Sequence, residues 1–552
     1  MWGWGSNAER YGGTVALPPP WALECWVWED DVNTAAYVEE LLAGYKEHDF
    51  PVRTILIDSP WTLQYNDFVV DEERYPKPAE FFGRLQDQGY RVVLWMTGNV
   101  NSESKDTAIQ DSTEWYESVR DRGYLVNDGG QTRWWKGKGG FIDYTNPEAM
   151  AWWRSIQQQV FDWGLDGWKL DGTATLCFRW INDKYPVPWI TTYSGTISTR
   201  SYMDHYYRDE YLHGLTQNPE FVTMSRSIDD GEVPMAHPQG FAPLDSAPIT
   251  WVGDQDHGWT IEDEGIEEAL RDILRAAENR YGAIGSDIAG YSGGEIPKNL
   301  YIRWAQFSTF CGLFLNGGHG ERRMWLRSPE ELEIVRECHW LHTELVPYMY
   351  SHLVAQHEGG PVLMRPEGPH YEYHFGDAFF VAPIYEDKLK RTVKLPKGQW
   401  RYWYDDADPI AGGTEVSREY PLDEFPVFVK DGSIIPMTIE RAYTGVGDET
   451  YADHMTFAIY PGQGARHELR HTDGKSKTVI TATPGADGLV VKLEGALPKH
   501  ILRIHLDAKP GEVMRAGAAL PETDWSYDAA KKKLVIRQDA AVDDGVVEYR
   551  IN

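Results

Sequence analysis

The segment GWKLDG (167–172) places Lys169 two residues before Asp171, at the end of an otherwise apolar run. Residues i and i+2 of a strand point to the same side. A strand here therefore carries both side chains into one interior. A lysine in that position favours the ionised aspartate, and an ionised carboxylate at the base of a pocket is a competent nucleophile. The same pair also serves as a plain ion pair tying strands together, and the two residues alone do not choose between these roles. A second carboxylate, Asp254, lies in WVGDQDHGW (251–259), between Trp251 and Trp259. Aromatic neighbours lower local polarity and are expected to raise its pKa, as a general acid requires. A loop aspartate in a turn is the plain alternative. One carboxylate kept charged and one kept protonated is the pattern of glycoside hydrolysis.

These residues need elements to hold them. From about residue 16 to 350, short β-branched runs alternate with longer amphipathic segments. RTILID (53–58), RVVLWM (91–96), GWKLD, FVTMSRS (221–227), PITWVGD (248–254), GAIGSD (282–287) and CGLFLNGGHG (311–320) read as strands. PEAMAWWRSIQQQVFDWG (147–164) and IEEALRDILRAAENRYG (266–282) have helical spacing and stop at glycine. Such alternation predicts parallel strands, in a (β/α)₈ barrel or a doubly wound sheet. No Gly-rich phosphate loop follows the first strand, which weakens the dinucleotide-binding form of the latter. Asp58, Asp171, Arg226, Asp254, Asp287 and the His319 turn all stand where strands end. In a barrel those ends share the face that carries the site. Helix capping explains one such aspartate but not the whole set.

After about residue 365 the pattern changes to short alternating runs such as GDAFFVAPI, HMTFAIYPG and GLVVKLEG, separated by Gly, Pro, Asp and Asn. These predict antiparallel β-sandwich domains. The expected organisation is a catalytic barrel over 1–365, a proximal sandwich over 366–440 and a distal sandwich over 441–552.

Composition narrows the ligand. The 552 residues are 42 % hydrophobic and 25 % charged, as in a soluble multidomain chain. The net charge of −32 opposes nucleic acid and anionic membrane surfaces as partners. No apolar run is long enough to span a membrane. The N-terminal MWGWGSNAERYGG lacks a basic and then apolar leader pattern, so a cytoplasmic location is expected, or a secreted or periplasmic one if a leader lies outside this sequence. Cys25, Cys177, Cys311 and Cys338 form no CxxC pair and read as buried free thiols. Twenty-four tryptophans, many in the first half, suit the apolar faces of sugar rings, although a large barrel buries aromatics in any case.

The motifs, in their order, resemble glycoside hydrolase family 31, the α-glucosidase and α-xylosidase family. The pieces are PPPWALECWVW (18–28), ILIDSPW (55–61), NDFVVDEERYP (66–76), VVLWM (92–96), GFIDYTNPEA (140–149), GWKLDG, SRS (225–227), WVGDQ (251–255), GSDIAGY (285–291), NGGHG (316–320), GDAFFVAPI (376–384), VKLPKGQW (393–400) and FPVFVKDGSIIP (425–436). The resemblance implies a TIM barrel followed by C-terminal β-sandwich domains. It makes Asp171 the nucleophile and Asp254 the general acid/base. It places Asp58, Arg226 and His319 on sugar hydroxyls, puts Trp95, Lys169 and Trp251 around the pocket, and sets Asp287 beside it in a supporting role. It implies an oligosaccharide or glycoside substrate and no metal or organic cofactor. The expected activity is a retaining exo-α-glycosidase of the α-glucosidase type, with α-xylosidase, α-galactosidase or transglycosylase as alternatives on the same site. A catalytically inactive sugar-binding barrel and a metal-dependent barrel hydrolase are the rivals from other classes; no HxH or HExxH spacing supports the second. The sequence departs from the family after the nucleophile, where it runs DGTAT, and after Asp58, where Ser59 and Pro60 follow. The β-sandwich that usually precedes the barrel is expected to be absent or to lie outside this sequence.

Overall fold

A computed structural model describes residues 15–172, 179–181, 185–187, 189–228 and 242–552. Thr173–Thr175 of the DGTAT run, Cys177 and the N-terminal stretch lie outside the described residues. Eight short parallel strands form the core sheet. They are β1 (Cys25–Val27), β2 (Val52–Ile57), β3 (Arg91–Met96), β4 (Gly167–Leu170), β5 (Val222–Arg226), β6 (Ile249–Trp251), β7 (Ala283–Gly285) and β8 (Leu315–Asn316). Each pairs with its sequence neighbour from β1 to β7, and β8 pairs with β1. A parallel bridge between Asp287 and Leu315 joins the last two strands and closes the barrel.

The strand readings held within a few residues, except that β1 is only three residues long and was not singled out. Helices α1 (Ala35–Glu47), α2 (Pro78–Asp87), α3 (Pro147–Asp162), α4 (Thr199–Gln217), α5 (Ile266–Glu278) and α6 (Lys298–Ser308) lie between strands, and α7 (Pro329–Glu344) and α8 (Val346–His357) follow β8. The alternation is not uniform. Between β5 and β6 the described residues hold only a single turn of 3₁₀ helix, Leu244–Ser246.

Local chemistry sets α3 and the strand after it. Asn146 accepts hydrogen bonds from the Glu148 and Ala149 amides, Pro147 opens the helix, and Gly164 ends it at φ 85°. Asp166 then accepts from the Val92 amide at 2.9 Å and from Arg91 at 2.8 Å, which fixes β4 against β3. At the far end of the same two strands, the Tyr206 hydroxyl on α4 donates to the carbonyls of Met96 (3.1 Å) and Asp171 (3.0 Å). Trp168 and Leu170 face outward into the helix layer, where Trp168 meets Phe161 edge-on at 5.7 Å. Lys169 is thereby left pointing inward.

Two excursions leave the strand C-termini. After β3, Asn99–Ser104, Thr132–Trp134 and Gly137–Phe141 form a three-stranded sheet. After β4, Trp189–Thr192 and Gly195–Ser198 form a hairpin. Beyond α8, a six-stranded sheet includes Phe379–Val381 and Val427–Lys430. Phe379, Val381, Val427 and Val429 pack into the barrel's core cluster, while Phe380 and Phe428 pack into the unit's own. Both faces are covered, so these runs read as continuously apolar. The last unit packs a five-stranded sheet, starting at Ser433–Thr438, on a six-stranded one. Its strands are antiparallel except for Met455–Tyr460 and His500–His505, which pair in parallel.

Candidate active site

The C-terminal ends of the barrel strands bring the expected residues together. Lys169 is buried, and its Nζ donates to Asp58 Oδ2 at 2.8 Å. The other oxygen of Asp58 accepts from the Ser59 amide at 2.7 Å. The lysine therefore bonds the carboxylate at the end of β2 rather than the one two residues after it. Lys169 also lies over the rings of Trp28, at 4.1 Å, and Trp251, at 5.4 Å. Burial opposes its charge, but Asp58, Asp171 and Asp287 outweigh that and hold its pKa above the ordinary lysine value. Burial pushes the Asp58 carboxyl up to about 6 against the pull of Lys169.

Asp171 is buried at the end of β4. Its Oδ2 accepts from Trp95 Nε1 at 3.0 Å, and its Oδ1 accepts from the Gly172 amide at 2.7 Å. Burial works against its charge. The positive charges of Arg226 and Lys169 and the Trp95 and Gly172 hydrogen bonds prevail, leaving its pKa below the usual aspartate value. Arg226 is thus the closer cation to this carboxylate, at 3.6 Å, a role the sequence reading had given to Lys169 alone.

The same Arg226 nitrogen lies 3.2 Å from Asp254 Oδ2. The facing oxygens of Asp171 and Asp254 can therefore be no farther apart than those two distances laid end to end. Gly253 makes this possible: its φ is 105°, and a Cβ there would stand 2.6 Å from Arg226 Nη1. The surroundings of Asp254 differ from expectation. Its side chain is 40 % exposed and ion-paired, not enclosed by aromatic rings. Trp251 is fully buried beneath the strand end, with the Arg226 guanidinium 5.0 Å from its ring centre. It underlies two cations instead of shielding the carboxylate, because a strand residue three positions back points inward, below the rim.

Asp287 is buried, and its Oδ1 accepts from the Trp28 indole at 3.1 Å. Its Oδ2 is buried without a hydrogen-bond partner. Burial pushes this carboxyl up to about 7, Lys169 opposing and Asp254 adding to the rise. His319 sits at the rim, its Nδ1 2.7 Å from Asp31 Oδ1 and its Nε2 3.5 Å from Asp30 Oδ2. The Tyr291 hydroxyl donates to Asp30 at 2.6 Å. Trp28, Asp30, Asp31 and Tyr206 were not singled out from the sequence. The signal for the first three was present: EDD follows the apolar CWVW as D follows TILI. Three residues are simply too short a run to read as a strand.

Parallel barrel, acidic rim and trailing β-units together define a barrel-plus-sandwich architecture. The chain belongs to glycoside hydrolase family 31: residues 15–352 match the model of the Glycosyl hydrolases family 31 TIM-barrel domain, and 362–435 match that of the Glycosyl hydrolase family 31 C-terminal domain. An α-xylosidase of Emericella nidulans is 25 % identical over 461 residues, 77 % of this chain and 54 % of that protein. An isomaltosyltransferase of Sporosarcina globispora is 23 % identical over 96 % of this chain and 52 % of that protein. The chain spans about half the length of these curated relatives. Among solved structures, the Flavobacterium johnsoniae GH31 dextranase complexed with isomaltotriose superposes with a TM-score of 0.84 at 22 % identity, covering 98 % of this chain and 71 % of that one.

Proposed function

We propose that the chain is a retaining, exo-acting α-glycosidase of the α-glucosidase type. The observation that carries the reading is the placement of Arg226 between Asp171 and Asp254. It keeps the two carboxylates within reach of one guanidinium nitrogen, in keeping with the roughly 5–5.5 Å separation of retaining enzymes. Asp171, held ionised, attacks the anomeric carbon. Asp254 gives its proton to the leaving oxygen, and a covalent glycosyl ester forms on Asp171. Asp254, now a carboxylate, takes a proton from incoming water, whose oxygen displaces Asp171 and restores the α configuration. The exposure of Asp254 suits this second role, because water reaches it directly. Asp58 and Lys169 form the floor on which the terminal sugar's hydroxyls are bound, and Trp95 holds the nucleophile's second oxygen.

A second reading, transfer of the sugar to another sugar in place of water, is favoured by the isomaltosyltransferase match running along 96 % of this chain. Both readings share the first half-reaction. A panel of aryl α-glycosides tests it. Asp171→Ala should lower turnover by roughly four orders of magnitude or more, and azide should restore cleavage as a β-glycosyl azide. Near-normal activity in that variant would remove Asp171 from the chemistry.

A further inference from the structure

Large aromatic side chains at the surface of this protein are unevenly placed. Among the described residues, Trp135, Trp189, Tyr193 and Tyr443 are the exposed ones, at 47 %, 47 %, 70 % and 36 %. Tyr443 lies against Arg336 and Trp340, far along the chain. The other three stand on the two excursions that leave the C-terminal ends of β3 and β4, the strands that carry Trp95 and Asp171. Single exposed apolar residues need no explanation, but clustering on the functional face does.

Trp135 is linked to the nucleophile by contacts. Trp95, which donates to Asp171, stacks on Trp134 with ring centres 6.3 Å apart and planes 7° apart. Trp134 meets Trp135 at 5.2 Å and 66°. The hairpin that presents Trp135 is fixed. The Trp134 indole donates to Asn101 at 2.9 Å, and Lys136 holds Asp106 at 2.9 Å. The second excursion is tied to the first by the Thr191 amide, which donates to Asn127 at 2.9 Å, and to the segment after it by the Tyr193 amide, which donates to Asp143 at 2.6 Å. Buried Asp58, Lys169 and Asp171 lie at the inner end of the site, where the α-glycosidase reading places the terminal ring. The remainder of a longer substrate must leave outward, past the rim.

We propose that Trp135 is a stacking platform for the pyranose ring on the leaving-group side of an oligosaccharide, making the chain an oligosaccharide-directed enzyme and not one that reads the terminal sugar alone. This rests on the α-glycosidase reading above. A rigidly held indole with half its surface open offers a flat apolar face that a sugar's C–H face covers without reordering the loop.

The test compares maltotriose and isomaltotriose with 4-nitrophenyl α-D-glucoside, which has no second sugar ring. Trp135→Ala should lower the trisaccharide-to-aryl ratio of kcat/KM about tenfold, mainly through KM. Trp135→Tyr should recover most of it. An unchanged ratio on both trisaccharides, with aryl glucoside still cleaved, would overturn the platform and leave the α-glycosidase reading standing. Failure of the unsubstituted chain to cleave any of the three would overturn both.

Discussion

Lys169 and Arg226 divide the electrostatic work among four carboxylates. Lys169 bonds Asp58 and faces Asp171 and Asp287 through space, while Arg226 touches both Asp171 and Asp254. Asp171, which feels both cations, is held below the usual aspartate value, while at Asp58 and Asp287 burial outweighs the pull of Lys169 and pushes the carboxyls up. A leaving-group series tests the role proposed for Asp254. Asp254→Ala should spare the first step on activated aryl glycosides and slow cleavage of natural disaccharides by about 10²–10⁴-fold, because only poor leaving groups need the proton. Equal losses on both substrate types would contradict the assignment. At this scale the sequence was informative about which residues meet and less so about their partners. The i, i+2 spacing showed that Lys169 and Asp171 face one interior. That Lys169 would reach across to β2 depends on barrel curvature, which no local pattern encodes.

Elements position these groups through turns that tolerate no side chain. Between β6 and Asp254, Gly253 combines φ 105° with a close approach to Arg226. Gly253→Ala should cost about 1–3 kcal/mol in stability and displace Arg226 from its bridge. Arg226 lowers the Asp171 pKa, so its loss raises that pKa, and the acid limb of kcat/KM should move to higher pH. A variant with an unmoved acid limb would show that Arg226 does not set the charge of Asp171. Longer elements were legible: β3 matches RVVLWM, and α3 and α5 begin where the helical spacing begins, although α5 ends at Glu278, short of the Gly282 stop. Short ones were not. β1, with three residues, and β8, with two, gain their strand character only from neighbours on both sides. Pairing across the barrel supplies what their length cannot.

At the scale of the whole molecule, the two C-terminal units are joined by a buried polar lock. Lys533 of the distal unit donates to Asp406 of the proximal one at 2.6 Å, and the Tyr460 hydroxyl donates to the same Asp406 oxygen at 2.6 Å. Removing one partner of a buried pair leaves the other uncompensated. Asp406→Ala should cost about 3–5 kcal/mol in urea unfolding, while Asp406→Leu with Lys533→Met should recover most of that. A single variant as stable as the unsubstituted chain would show that the lock carries no net stability. The sequence announced β-structure here through alternation, but not which runs share a sheet. Ser433–Thr438 directly follows the last strand of the proximal sheet yet pairs with Met455–Tyr460 in the distal one. A two-residue turn hides that change of partner.

The stereochemistry of the first product tests the central claim most directly, because it reports whether Asp171 or a water attacks the anomeric carbon. Proton NMR of the sugar released from an aryl α-glucoside, read before mutarotation, separates the two outcomes. Two inversions through an ester on Asp171 yield the α-anomer, the result expected from carboxylates drawn together by Arg226. A β-anomer would mean that water attacks directly and that Asp171 is not the nucleophile.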